Sequence, residues 1–163
     1  MHGFLPTFRS TMSRIYLRRL SARYTTLATS LFRLIAREYG ETFQAPDDEH
    51  LNRLLRNRHF FALSATADGK VIGGLTAQAL PMVNEPSYEL FVYNLVVDKS
   101  WRRKGIAVQL MKRLQRIAAD NAIRSIFIAA DVEDPIAPGL FARLDADFSD
   151  ARLFLLPAVA AGK

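Results

Sequence analysis

Cysteine is absent from all 163 residues. That excludes a disulfide, a thiolate-bound metal and a cysteine nucleophile. Long hydrophobic runs are missing too. The most apolar stretches, Leu153-Phe154-Leu155-Leu156 and Ile126-Phe127-Ile128-Ala129-Ala130, fall well short of the roughly 18 to 20 residues of a membrane span. They read as core strands, and no membrane partner is expected. His2, His50 and His59 are the only histidines, and their spacing suits no metal site, so no metal is expected. Acids are nearly absent from residues 1–40, where seven arginines face Glu38 alone and account for the whole net charge of +6. The remaining 15 basic and 15 acidic residues cancel. Both common phosphate loops are absent: there is no G-x-x-x-x-G-K-[ST] and no G-x-G-x-x-G followed by an acid about twenty residues on.

What is present suits one α/β domain. Half of the residues are hydrophobic, enough for a single core and against disorder. Within the neutral body, Lys99 to Arg124 is basic, whereas Asp131, Glu133, Asp134, Asp145, Asp147 and Asp150 make the next stretch acidic. A uniform nucleic-acid surface would not divide its charge this way, and no nucleic acid is expected. One basic region for an anionic cofactor and one acidic region for a cationic substrate would divide so; a solvated helix face beside an acidic loop is the plainer alternative.

The basic region begins where an apolar strand, Tyr88 to Val97, runs through Asp98-Lys99-Ser100-Trp101 into Arg102-Arg103-Lys104-Gly105-Ile106-Ala107. Ile106, Leu110, Leu114 and Ile117 then recur on one face of a long helix. A helix start has N–H groups without intrahelical partners and carries partial positive charge. Arg102, Arg103 and Lys104 stand at that mouth, Gly105 leaves the backbone uncovered, and Ala107 keeps the first turn small. The physics describes a pyrophosphate cradle.

Along the chain, residues 1–13 read as a leader and 14–163 as the domain. Met12 offers an alternative start, and the arginine-rich first 37 residues also mimic a transit peptide. Arg14 to Leu20 alternates as a first strand, and a helix is predicted from about Ala22 to Gly40, a C-terminal cap glycine. A second helix starts at Pro46-Asp47-Asp48-Glu49. Phe60 to Thr66 and Val71 to Leu80 form a hairpin about Asp68-Gly69, and Gly73-Gly74 implies a bulge or a close backbone approach. After the long helix, Ile126 to Ala130 reads as a parallel strand covered on both faces. A short helix, Pro138 to Leu144, and a final strand near Ala151 to Leu156 complete the order β-α-α-β-β-β-α-β-α-β.

Arg102-x-x-Gly105-x-Ala107 resembles the acetyl-coenzyme A loop of the GNAT N-acetyltransferase superfamily, Q/R-x-x-G-x-G/A, and the element order from about Arg14 to Leu156 is similar to that fold. The resemblance implies a single-domain GNAT fold: a mixed, mostly antiparallel sheet with splayed strands and flanking helices. Arg37-Glu38-Tyr39-Gly40, Ala79 to Pro86 and Phe91 to Val97 further resemble segments of the gentamicin-type aminoglycoside 3-N-acetyltransferases. Acetyl-CoA as cofactor, a primary amine of an aminoglycoside-like or other polycationic small molecule as acceptor, and a cytoplasmic location are what these resemblances imply. A peptide N-terminus or a lysine is the alternative acceptor, and a non-catalytic acyl-CoA-binding module the alternative role. Oligomeric state is left open, a homodimer included.

The resemblance also assigns residues. Leu95, Val96 and Val97, with Arg102, Arg103, Lys104, Gly105, Ile106 and Ala107, are expected at the cofactor, and Phe141 beside its pantetheine arm. Glu89 is the first candidate for general base. Tyr93 is either a proton donor or an ordinary core aromatic. Asn94 stands where the subgroup has aspartate, so it can hydrogen-bond an amine but cannot take its proton. Phe141 stands where the family has a tyrosine that protonates the leaving thiolate. Glu85, Asp131, Glu133 and Asp134 are expected at the substrate.

Overall fold

The computed structural model describes residues 13–131, 133–154 and 156–157. The chain runs β1 (Tyr16–Arg19), α1 (Thr25–Tyr39), α2 (Asp48–Arg56), β2 (Phe60–Ala67), β3 (Lys70–Pro81), β4 (Tyr88–Val97), one 3₁₀ turn (Lys99–Trp101), α3 (Ile106–Ala119), β5 (Ile123–Ile128) and α4 (Ala137–Ala142). Five strands pair in sequence order. The first three pairings are antiparallel and β4 with β5 is parallel. This is the expected single α/β domain with a mixed sheet.

Local chemistry sets most element ends. Gly40 is left-handed (φ 71°) and closes α1, while the Asp47 side chain accepts the His50 N–H at 2.7 Å and opens α2. Asp68 and Gly69 both have positive φ (49° and 75°), as a type I′ hairpin requires. α1 starts at Thr25 rather than Ala22, because Tyr24 N–H bonds to Ser21 C=O in a turn first.

The sheet is packed on both faces. One face meets α3 through Leu63, Leu75, Leu90, Val92, Ile106, Leu110 and Leu114. The other meets α1 and α2 through Leu31, Leu34, Leu51, Leu55, Ala62 and Val96. At Gly74, an added Cβ would come inside 3.0 Å of both Leu31 Cδ1 and the Leu63 carbonyl oxygen, so here α1 lies directly on the backbone. The pair Gly73-Gly74 thus marks a close approach. A bulge adjoins it, since Ala65 opposes Gly73 and Thr66 opposes Val71, leaving Ile72 extra.

Two expectations fail at the C-terminal side. β5 is parallel but is not covered on both faces: α3 packs on one face, while Phe127 is 45% exposed. The final strand does not form among the described residues 151–154 and 156, and Leu155 lies outside them. Phe148, Leu153, Phe154 and Leu156 stand in solvent instead. Nearly all of the leader also lies outside; Ser13, its last residue, donates its hydroxyl to Asp68 Oδ2 at 2.6 Å.

Candidate functional site

The site begins where β4 and β5 separate. Their ladder runs from Tyr88↔Ile123 to Val92↔Ile128 and stops there, while β4 continues from Tyr93 to Val97. Asn94 to Val97 have β3 on one side and, among the described residues, no strand lies on the other side of this stretch. Apart from the Val97 carbonyl, which accepts from Arg102 Nε at 3.1 Å, their outward backbone groups are open to a ligand, as amides of an extended cofactor arm would require.

A bulge sits at the point of separation. Thr76 opposes Asn94 and Ala77 opposes Val92, so Tyr93 is an extra residue in β4. It is 72% exposed, with its ring edge-on to Phe91 at 5.3 Å. Of the two readings of Tyr93, the core aromatic is therefore ruled out. Asn94 is carried to the α1 side together with Thr76, whose hydroxyl donates to Asn94 Oδ1 at 2.6 Å. Thr76 and Asn94 form the polar floor of a recess of about 270 Å³ walled by Phe32, Ile35, Leu54 and Phe60.

Beyond β4 the chain turns into the expected cradle. Asp98 caps the 3₁₀ turn, accepting from Ser100 N–H at 2.9 Å and Ser100 Oγ at 2.5 Å. These bonds, and then Arg37, lower the Asp98 carboxyl from its ordinary 3.8 to about 2. The bonds favour the carboxylate, so this contribution to loop order is complete above the ordinary value and is lost as pH falls through about 2. Arg103 (φ 63°) and Gly105 (φ 75°) are both left-handed, which turns successive backbone N–H groups toward one concavity at the N-terminus of α3. The first intrahelical bond is Gln109 N–H to Gly105 C=O, so the N–H groups of Ile106, Ala107 and Val108 remain for a ligand. Lys104 lies 4.5 Å over the ring of Trp101, the only tryptophan in the chain. Residues and backbone here fit a diphosphate: concave N–H donors, two exposed cations in Arg103 and Lys104, and open space over Gly105, whose added Cβ would meet only Gln109 Nε2 at 4.0 Å.

Not every expected residue presents itself to this cradle. The Ile106 side chain is 2% exposed and belongs to the core, leaving only its N–H for a ligand. Leu95 and Val97 pack on the α3 side and Val96 on the α1 side, so their part is also a backbone one. Arg102 is engaged elsewhere: its Nη2 donates to Glu38 Oε2 at 2.5 Å and its Nε to Val97 C=O at 3.1 Å. Ala107 lies half-buried in the first turn of α3 and Phe141 half-buried on α4.

The acids are dispersed. Glu89 accepts from Ser125 Oγ at 3.1 Å, five residues before Asn94 on β4, or roughly 16 Å at strand rise. Glu89 and Asn94 therefore do not touch. Glu85 is ion-paired with Arg124. Asp131 and Asp134 accept the N–H groups of Glu133 and Ile136 at 3.0 and 2.8 Å, shaping an exposed loop that leaves the end of β5. Because β4 and β5 are parallel, that acidic loop and the basic cradle emerge at the same end of the sheet. Sequence reasoning missed Thr76, the recess wall and the engagement of Arg102. The one available signal was Glu38, the lone acid among the first 40 residues.

Comparison with known proteins agrees with this geometry. The chain matches the acetyltransferase (GNAT) family over residues 28–146. No match was found among curated proteins. An aminoglycoside acetyltransferase from an uncultured soil metagenomic sample superposes with a TM-score of 0.84 at 28% identity, covering 90% of this chain and 99% of that one. A second, also from an uncultured soil metagenomic sample and in complex with sisomicin, gives 0.79 at 26% identity, with 88% and 97% covered. A ribosomal-protein-alanine N-acetyltransferase from Brucella melitensis biovar Abortus 2308 shares the fold, with a TM-score of 0.70 at 22% identity and 89% and 100% covered. Among the described residues no helix is long and apolar enough to cross a membrane. With a cradle of this form, a sheet that opens beside it and a family match over well more than half its length, the chain belongs to the GNAT acetyltransferase family.

Proposed function

We propose that this protein transfers acetyl from acetyl-CoA to a primary amine of a small molecule, and that an aminoglycoside-like amine is the acceptor class to test first. The observation that carries the reading is the pair of left-handed residues, Arg103 and Gly105, at the head of α3 beside the unpaired stretch of β4. The soil-sample aminoglycoside acetyltransferases support the acceptor class. Bound acetyl-CoA supplies the activated acyl group as a thioester. The chain supplies position and polarity. Backbone N–H groups at the cradle and cations at Arg103 and Lys104 hold the anionic end. The unpaired backbone of the bulge offers a donor where negative charge develops on a carbonyl oxygen. Thr76 and Asn94 orient an amine in the recess, and the exposed Tyr93 phenol offers a proton donor on the open edge of β4.

A second reading is favoured by the recess itself. Its wall is apolar and its floor is neutral, while Glu38 and Glu85 are spent in ion pairs. Such a pocket suits a single amine on an apolar body better than a polycation. A thiol-release assay separates the two, run with a gentamicin-like amine, an arylalkylamine and a peptide N-terminus. Asn94 lacks the acid that proton transfer requires, and losing such a group costs about a hundred- to ten-thousand-fold in rate. Wild-type turnover of the gentamicin-like amine should therefore be slow, and Asn94→Asp should raise kcat at least about tenfold while keeping the Thr76 bond. Phe141→Tyr should add to that gain if Phe141 lies beside the sulfur. A folded, acetyl-CoA-binding Asn94→Asp protein with no gain on that amine, but with turnover of the arylalkylamine, would move the acceptor to the second class.

A further inference from the structure

We infer that Glu38 is a positioning residue for the cofactor cradle, acting through Arg102; the inference rests on reading the Arg102–Ala107 turn as the acetyl-CoA site. Glu38 occupies the last turn of α1, 64 residues away in sequence from Arg102, with its side chain only 5% exposed. Both of its oxygens are used. Oε2 accepts from Arg102 Nη2 at 2.5 Å, and Oε1 accepts from Arg37 Nη2 at 3.1 Å and Nε at 3.3 Å. Arg102 then spans from Glu38 to the Val97 carbonyl at the end of β4. Arg37 reaches the other way, donating to Asp98 Oδ2 at 2.6 Å, and Asp98 caps the 3₁₀ turn. The segment from Val97 to Arg102 is thus pinned to one helix end by two carboxylates and two guanidinium groups.

The pinning explains the conformation that follows it. Arg103 holds a left-handed φ of 63° without being glycine, a state that persists only where its surroundings over-determine it. The clamp immediately before it provides that constraint. It also settles the electrostatics. A carboxylate beside a diphosphate site should repel the ligand, yet Glu38 and Asp98 are each matched by an arginine, leaving Arg103, Lys104 and the helix N-terminus as the net positive field. Arg102 is a strut between α1 and the cradle, with its charge already neutralised.

Two accounts of Glu38 then predict opposite signs. If Glu38 merely competes with phosphate for Arg102, Glu38→Gln should tighten acetyl-CoA binding. If Glu38 positions the loop, Glu38→Gln should weaken it, by roughly tenfold, a usual size for coupled neighbours. In the full-length chain we expect that weakening by calorimetry, with the KM for acetyl-CoA rising in proportion and kcat at saturating acetyl-CoA changing little. Arg102→Ala should show the same loss, the double variant no more than either single one, and the reciprocal swap (Glu38→Arg with Arg102→Glu) a partial recovery. Arg102→Lys keeps the charge but not the fork, so it should behave like Arg102→Ala; near-normal binding there would mean that charge alone matters and would overturn the proposal. Tighter binding in Glu38→Gln, or additive losses in the double variant, would overturn it as well. Amide exchange gives a reading that needs no cofactor. Residues 98–105 should exchange faster in Glu38→Gln while β2 and β3 stay protected, and unchanged exchange there refutes the clamp even if the wild type proves not to bind acetyl-CoA, a result that by itself would instead remove the functional reading.

Discussion

Gly105→Asp should abolish acetyl-CoA binding and leave the protein folded. Its Cβ has room, meeting only Gln109 Nε2 at 4.0 Å. Its backbone is left-handed, a cost of roughly 1–2 kcal/mol for most residues and less for aspartate or asparagine, which visit that region. A domain with about 5–15 kcal/mol of stability tolerates this. The charge is another matter. A carboxylate about 4 Å from a phosphate oxygen is repelled by about 4 kcal/mol near a protein surface, and even half of that costs more than tenfold in affinity. Gly105→Asn has the same shape without the charge and should lose far less. Trp101 provides the measurement: its ring lies under Lys104 within the loop, so its emission should change when wild-type protein takes up acetyl-CoA and stay flat for Gly105→Asp. A folded Gly105→Asp protein with native affinity would remove the cradle from the argument.

The largest loss of stability is expected from Gly74→Ala. The new methyl would sit inside 3.0 Å of Leu31 Cδ1 and of the Leu63 carbonyl oxygen. Leu31 can shift a side chain, but the Leu63 oxygen belongs to β2, the hydrogen-bonded neighbour of β3, and cannot step aside. Overpacking usually costs about 1–3 kcal/mol. With backbone as the obstacle the upper end applies, a fall in Tm of about 6–12 °C for a domain of this size. Gly73→Ala makes a useful contrast. Its Cβ would meet the Val96 oxygen at 3.0 Å and Ile106 Cγ2 at 3.3 Å, one at the end of β4 and the other at the start of α3. That variant should lose less stability and more affinity for acetyl-CoA. A Gly74→Ala protein melting at the wild-type temperature would show that the backbone of β2 can yield at Leu63, contrary to the packing described.

Both glycines lie in a strand whose ends were nearly legible from sequence, and the reason is locality. β4 was predicted at its observed bounds, and the Asp68-Gly69 turn and the Gly40 cap were read correctly because each depends on a few consecutive residues. The misses share the opposite property. The tie of Arg102 to Glu38 went unseen because the two stand 64 positions apart. Thr76 was overlooked because its tie to Asn94 crosses 18 residues. Ile126 to Ala130 looked doubly covered because composition does not reveal that Phe127 faces solvent. Tyr93 was left open between proton donor and core aromatic because an aromatic on a central strand does not reveal an inserted residue.

That inserted residue has a consequence for how the chain can change length. Leu90 and Val92 before it, and Leu95 and Val97 after it, all serve the α3 side of the sheet, while Asn94 and Val96 serve the other. Shortening β4 by one residue at most positions would invert every side chain on one side of the cut. Removing Tyr93 would not. It would join Val92 to Asn94 in unbroken alternation, close the ladder to β3 and leave each packing residue on its present face. The fold has no need of Tyr93, and a chain without it should melt higher. What the deletion would take away is the irregular backbone and the outward phenol at the opening of the sheet. On the proposed role of Tyr93, the shortened chain should also turn over more slowly, exchanging activity for heat resistance.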